Sequence, residues 1–479
     1  MPEHAGYLPG LERENAKWTQ KSYGTEGTPL EVLLPSLETE QLVSMAQHIR
    51  QQATQHLKTI PVEQIVEAID RTIARLLDRQ DFHRRRMDAL LPTVTGYDAE
   101  MVQLGLSGYL KTFRKPQLRR FLAEDFANPA ILDSFQPLAK GGFGRAFSPG
   151  VLGHIWAGNV PGLPLWSLVA GLLVKSGNLG KVSTSEPLFA GWFAEALAEV
   201  EPALAECIGI VWWRGGETEL ETALTAESDI ILGYGSNEAL AAIQARVPTG
   251  KRFLAYGHKV SFAIVSTAAL DTDKATATAR LAAYDVARYD QQGCYSPQMI
   301  CVERGGRVSP QRFAQFLSHE LAAIEKKFPR RKLTITEANA LASWRHDEEM
   351  KFGGEIFGDE TGSWTVSFHM AESNLMPSSL NRAIRVVGVE RLADVPAMIA
   401  PFKSLLQTVG IAAAPEHLFQ LADALGNVGV TRICALGDMT TPEAGWHHDG
   451  RFNLSDLVTI TEIDHRAEFA ADRLAPYAE

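Results

Sequence analysis

Residues 208–256 read IGIVWWRGGETELETALTAESDIILGYGSNEALAAIQARVPTGKRFLAY, and this stretch alternates between two periods. Residues 208–213 form an apolar run, 217–226 space their apolar side chains as a helix does, and 229–232, Asp229 followed by Ile230, Ile231 and Leu232, read as a strand again. A second helical segment, 237–246, and a closing strand, 252–255, complete the pattern. Strands separated by single helices predict parallel pairing, because a parallel neighbour needs a crossover of about a dozen residues. Working back towards residue 150 extends the alternation: strand 154–157, buried helix 163–174, short strand 181–183 and amphipathic helix 187–206. The predicted fold class is therefore α/β, a doubly wound Rossmann-type sheet. Such sheets bind nucleotides beyond the carboxyl ends of their strands.

Further outward, a second alternation follows residue 266: helix 271–289, strand 299–302, helices 309–328 and 335–346, strands 365–369 and 384–387, then helices 395–408 and 415–425. It predicts a second α/β domain. On the amino-terminal side, residues 1–35 are weakly patterned, whereas 38–57 and 62–81 are amphipathic, with Ile65, Ile69, Ile73 and Leu76 on one face. HRRRM, 83–87, reads as a solvated helix face. The expected organisation is a helical segment over 1–100, a dinucleotide-binding domain over 101–265, a catalytic domain over 266–440, and a strand-bearing tail over 441–479.

Composition narrows the function. The 479 residues carry 46 basic and 57 acidic side chains, net −11, without a basic run, which excludes nucleic acid as the expected partner. No charged start with an apolar core marks a secretory signal, and no apolar run reaches the roughly 20 residues needed to span a bilayer. Four cysteines, Cys207, Cys294, Cys301 and Cys434, have neither C-x-x-C spacing nor disulfide-scaffold density. A reducing, cytoplasmic setting is expected.

Several short motifs carry chemistry. YDQQGCYSPQ, 289–298, places Cys294 between a helix and a strand, where reactive groups are displayed, although a lone cysteine is more often a buried structural residue. In GNVPG, 158–162, Asn159 follows a strand and can aim its amide at a developing oxyanion; the ordinary reading is a turn asparagine. LGYGSNEA sets Gly233, Gly235 and Ser236 between strand and helix, where a backbone can approach a dinucleotide. GGFGRA, 141–146, follows no strand and reads as a turn. His319-Glu320 lacks the second histidine of a zinc-protease helix, since Ala323 stands there, and no G-x-S-x-G elbow occurs. His447-His448-Asp449 would diverge on a loop, so no metal site is expected.

Taken in order, GNVPG, KSGNLGKVSTSEP, LGYGS, YGHK and DQQGC resemble the motif series of the aldehyde dehydrogenase superfamily. GNVPG, DQQGCYSPQ and WHHDGR resemble more specifically its long-chain acyl-CoA reductase branch, the reductase of the bacterial luminescence fatty-acid reductase system. The resemblance spans residues 100–465. It implies an aldehyde dehydrogenase-like fold, with Cys294 as nucleophile and Asn159 as the oxyanion amide. Lys181 resembles the lysine that contacts the adenosine ribose, with Ser183 and Thr184 beside it, while Gly235 and Ser236 resemble the residues next to the nicotinamide. Cys294 would then face a nucleotide held by the first domain. The glutamate that activates water in hydrolytic relatives is replaced by Ala255. EIFG, 355–358, lies too close after Cys294 to match the family's third motif.

The implied activity is reduction of a fatty acyl-CoA to the aldehyde through a Cys294 thioester, with hydride from NADPH and with NADH also accepted. CoA is the product thiol. A neutral Thr184, where NAD-preferring relatives carry glutamate, favours NADPH. The resemblance further suggests a homo-oligomer and an acyltransferase or acyl-protein partner. Two alternatives stay open: the same fold working in the oxidising or CoA-acylating direction, and a non-catalytic scaffold.

Overall fold

The computed structural model describes residues 2–24, 27, 29–371 and 376–476. Two compact units form, one from residues 1–95, 106–257 and 443–479, the other from 96–105 and 258–442.

The first unit is built on five parallel strands in the spatial order Arg252–Tyr256, Ile230–Tyr234, Val151–Ile155, Gly177–Lys181, Ile208–Val211. In chain order the first and fourth strands are neighbours, so the direction of winding reverses between Val151–Ile155 and Ile230–Tyr234. That is the switch point at which open parallel sheets hold ligands. The helix Pro164–Leu173 is buried at nearly every position and packs against Val62–Leu77. This accounts for an apolar run with no polar face.

The amino-terminal residues are not a separate helical segment. Helix Thr39–Gln55 buries Leu42, Met45, Ala46 and Ile49 against Val151, Leu179 and Val211 of the sheet. The i, i+3, i+4, i+7 spacing makes that stripe continuous. A Cβ at Gly177 would come within 2.5 Å of Ile49, so the helix lies directly on the strand. Before this helix, Glu3–His4, Lys17–Tyr23 and Leu30–Ser36 form a small sheet that the weak patterning of residues 1–35 conceals.

HRRRM is a solvated face only in part, with Arg85 exposed. Arg84 is fully buried, donating to Asp88, to the Leu76 carbonyl and to Ser107, while His83 pairs with Glu199. GGFGRA is half turn and half strand: Gly141 and Gly142 have positive φ, and Phe143–Phe147 then pairs with the tail strand Thr459–Ile463. The tail thus returns to the first unit.

The second unit carries a seven-stranded sheet ordered Gly354–Gly358, Thr365–His369, Ala383–Val389, Pro297–Glu303, Val260–Val265, Leu406–Ala412, Arg432–Ala435, parallel except for the first edge strand. Val260–Val265 pairs with strands on both sides within this sheet, so the second unit begins before the expected boundary at residue 266. The expected helix over 395–408 is interrupted. It stops at Ile399, a tight turn containing Pro401 follows, and Leu406–Ala412 is a central strand. Pro401 cannot donate to a helix, and LQTVGIA is apolar enough for a strand buried on both faces. Cores form on both sides of the sheet, one packed with Phe313, Leu317 and Val386, the other with Phe262, Met299 and Val409.

Candidate functional site

In the first unit the predicted residues gather at the carboxyl ends of the sheet. Strand Val151–Ile155 runs into the bend that holds exposed Asn159. Gly158 allows this bend to lie against the next motif, since a Cβ there would stand 2.8 Å from Ser183 and 2.9 Å from the Glu186 backbone nitrogen. Glu186 is buried and accepts the N–H groups of Leu188 and Phe189 at 2.9 Å, with a further bond from Gly162. Burial pushes its carboxyl upward against those bonds. One acidic side chain therefore ties the Asn159 loop to the start of helix Phe189–Val200. Sequence reading missed it; the signal available was an acidic residue just before an apolar helix.

Lys181 is the last residue of its strand, half-buried, and burial lowers its ammonium pKa. Ser183 accepts the Ser185 N–H at 3.2 Å. The Thr184 hydroxyl accepts the Trp212 indole N–H at 2.9 Å, which leaves the hydroxyl proton to be donated elsewhere, and its carbonyl accepts the Tyr23 hydroxyl at 2.7 Å.

The glycines of LGYGS divide in role. Gly233 lies inside the strand rather than in the turn, and a Cβ there would press on Leu240 and Phe253 at 2.8–3.0 Å, so it serves close helix–strand packing. Gly235 sits in the turn itself, where a Cβ would meet only Ala239, at 3.9 Å. The backbone there is open to approach. Ser236 caps helix Asn237–Gln244 by accepting the Ala239 N–H at 3.3 Å. An open turn and a helix start at the switch point, with a half-buried lysine at the end of the neighbouring strand, fit a dinucleotide.

A feature not visible in the motifs closes this region. Tyr234 and Tyr256 end adjacent strands and stack at 4.8 Å, and His448 stacks on Tyr256 at 4.6 Å. Trp446 lies 4.8 Å from His448, while His447 turns its ring to Phe452. The two histidines diverge, as adjacent loop residues do. Ala255 lies in the same strand as Tyr256, in register with Gly233.

In the second unit, helix Ala275–Ala287 gives way to three left-handed residues, Tyr289, Asp290 and Gln291, and Cys294 follows on a turn just before strand Pro297–Glu303. A Cβ on Gly293 would stand 2.3 Å from the Tyr295 ring, so any larger residue there would force that ring to shift. Cys294 is partly exposed. Cys301 is fully buried within the strand, and burial pushes the Cys207 and Cys434 thiols up to about 12 and about 11. EIFG forms the antiparallel edge strand, with Glu355 bonded to Gln311.

Comparison with known proteins agrees with this architecture. The chain resembles the aldehyde dehydrogenase KauB from Pseudomonas aeruginosa, with a TM-score of 0.74 at 15% identity, covering 97% of this chain and 96% of that one. An oxidoreductase from Marinobacter aquaeolei gives a TM-score of 0.74 at 14% identity, covering 96% and 97%. The fold is aldehyde dehydrogenase-like. Among sequence relatives, the long-chain acyl-protein thioester reductase of Vibrio harveyi is 25% identical over 448 residues, 91% of this chain and 89% of that protein. The protein of the same name from Photorhabdus laumondii is 25% identical over 419 residues, 84% and 82% of the two chains. The family model described as acyl-CoA reductase (LuxC) matches residues 57–460, and the chain belongs to that family.

Proposed function

We propose that the protein is an NADPH-dependent acyl-CoA reductase that forms a fatty aldehyde through a thioester on Cys294. The observation that carries this reading is the placement of Cys294. It is partly exposed on a turn whose glycine and hydrogen bonds hold one shape, while Cys207 and Cys434 have thiols pushed well up and Cys301 is buried. A thiolate there attacks the acyl carbon of a thioester, the carbon–sulfur bond to CoA breaks, and CoA leaves as a thiolate that takes a proton from solvent. Asn159 is assigned the amide that stabilises the oxyanion. NADPH, when bound, supplies the hydride. Lys181, Ser183, Thr184, Gly235 and Ser236 are assigned to hold it, with Gly233 setting the strand–helix spacing beneath the turn. Collapse of the reduced adduct returns the electron pair of the carbon–sulfur bond to Cys294 and releases the aldehyde.

Ala255 supports reduction over hydrolysis. A methyl group takes no proton from water, so the Cys294 thioester is protected at the position where hydrolytic relatives carry a base. The name of the Vibrio harveyi and Photorhabdus laumondii relatives, acyl-protein thioester reductase, supports the same chemistry with the acyl group delivered by an acyl-protein partner.

The test uses labelled acyl-CoA. Without NADPH the label should attach to Cys294, and adding NADPH should release it as aldehyde. Cys294→Ser should do neither, because a hydroxyl is a far weaker nucleophile near neutral pH. Near-normal aldehyde formation by Cys294→Ser, with loss in Cys301→Ser, would show that the nucleophile is misassigned.

A further inference from the structure

Two segments of the second unit adopt the same unusual backbone. Tyr289, Asp290 and Gln291 have φ of 48°, 51° and 62°, and Leu380, Asn381 and Arg382 have φ of 62°, 57° and 64°. Each triplet is left-handed throughout, a conformation that glycine accepts freely and most other residues resist. At the centre of each stands Asp or Asn, the residue types that tolerate it best. Such strain persists only where surrounding contacts hold it.

The contacts that hold each triplet come largely from the other. The Asn381 N–H donates to the Asp290 carbonyl at 3.0 Å, and Arg382 Nε donates to Asp290 Oδ1 at 2.7 Å. Gln292 Nε2 donates to Asn381 Oδ1 at 3.0 Å. Gln291 Nε2 donates both to the Ala383 carbonyl, at 3.0 Å, and to the Pro297 carbonyl, at 2.9 Å. The last bond joins a residue before Cys294 to one after it, closing the turn. Arg382 is anchored in turn by Glu325 at 2.6 Å and by the Phe328 carbonyl at 2.8 Å. The Arg331 N–H donates to the second Asp290 oxygen at 3.2 Å. Asp290, Gln291, Asn381 and Arg382 are all 3% exposed or less.

A buried ion pair is a poor device for stability alone, since apolar packing of similar volume does as well. It does fix geometry, and this one lies four residues before Cys294. We infer that the Asp290–Arg382 pair is a positioning device: by locking the two left-handed triplets together it sets the orientation of the Cys294 turn for nucleophilic attack. The inference rests on Cys294 being the nucleophile, and Asp290 and Arg382 act through the turn without touching substrate.

The test compares Arg382→Gln, Arg382→Lys and the double variant Asp290→Asn/Arg382→Gln. The double variant removes both charges of the pair together, so it measures the effect if Arg382→Gln alone fails to fold. Two readouts are taken: kcat and KM for acyl-CoA reduction, and the rate of Cys294 alkylation by iodoacetamide, with Cys434 of the same protein as reference. A positioning role predicts a fall in kcat on the order of 10²-fold at unchanged KM, since small misplacements of a reacting group cost that much. Cys294 alkylation should change about tenfold relative to Cys434, because reactivity follows access and thiolate fraction. Arg382→Lys should recover part of the lost kcat. Folded variants with parental kcat and parental Cys294 alkylation overturn the proposal, leaving the pair a structural feature only. A loss of kcat with unchanged Cys294 alkylation overturns it while leaving Cys294 as nucleophile. Aldehyde formation retained by Cys294→Ser in the otherwise unmodified protein overturns both.

Discussion

The hydroxyl of Ser261 donates to the carbonyl oxygen of Cys294 across 2.7 Å, and the same oxygen atom of Ser261 accepts the Thr408 N–H at 3.1 Å. Ser261 and Thr408 are fully buried on neighbouring strands of the second sheet. The Cys294 turn is therefore tied through one hydroxyl to the sheet core.

Replacing Ser261 by alanine leaves the Thr408 N–H without its partner in a buried place and removes the tie to Cys294. An unsatisfied buried group costs about 1–3 kcal/mol. Ser261→Ala should lower the urea midpoint of unfolding by a corresponding amount at unchanged slope. An unchanged midpoint would mean that a rearrangement or a water takes over the bond at no cost.

Cofactor choice can be tested at Thr184. Its hydroxyl accepts from Trp212 and retains a proton to donate, which suits a phosphate oxygen. Thr184→Glu puts a carboxylate in that place, and like charges brought together cost several kcal/mol. The KM for NADPH should rise by about tenfold or more, 1.4 kcal/mol per decade, with a smaller change for NADH. Steady-state kinetics with both cofactors decides the matter. A parallel change in the two KM values would remove Thr184 from cofactor selection.

A pH effect on stability follows from His154. It is fully buried, bonded through Nε2 to Asn178 at 2.9 Å, and burial lowers its pKa from 6.5 to about 4. Between those values the unfolded chain binds a proton that the folded chain does not. This contribution to stability is present above pH 6.5 and is lost as the pH falls towards 4, by about 3 kcal/mol in all. His154→Gln keeps a donor for Asn178 and cannot titrate. Urea unfolding of both proteins across pH 4 to 7 should show a shallower acid loss in the variant; identical slopes would argue that the imidazole is accommodated in its charged form.

Much of the architecture can be read from local pattern. Strand Thr365–His369 falls where its alternating pattern predicts, and helix Pro310–Lys327 begins one residue after the capping Ser309. Ser236 likewise caps the helix that follows LGYG, a signal carried by neighbouring residues. Cys294 stands on a helix-to-strand turn as its glycine, glutamine and proline neighbours predict. Local pattern fails where a partner is distant. Arg84 of HRRRM reads as surface charge until Asp88 and Ser107 are found beside it, as does His83 until it is found paired with Glu199.

Period and turn chemistry suffice for the alternating strands and helices of the parallel sheet, because those depend on spacing along a few dozen residues, whereas the strand order that places the switch point comes from the assembled sheet. The left-handed triplets before Cys294 and before strand Ala383–Val389 could not be foreseen that way. Tyr, Gln, Leu and Arg have no intrinsic preference for positive φ, and each triplet is held by the other across some ninety residues of chain, as the Asp290–Arg382 bond spans 92. The Ser261–Cys294 bond spans 33 residues and the Trp212–Thr184 bond 28. Hydrogen bonds of that kind form only once strands have found their register, so the orientation of the Cys294 turn is a property of the assembled sheet and not of the peptide around it.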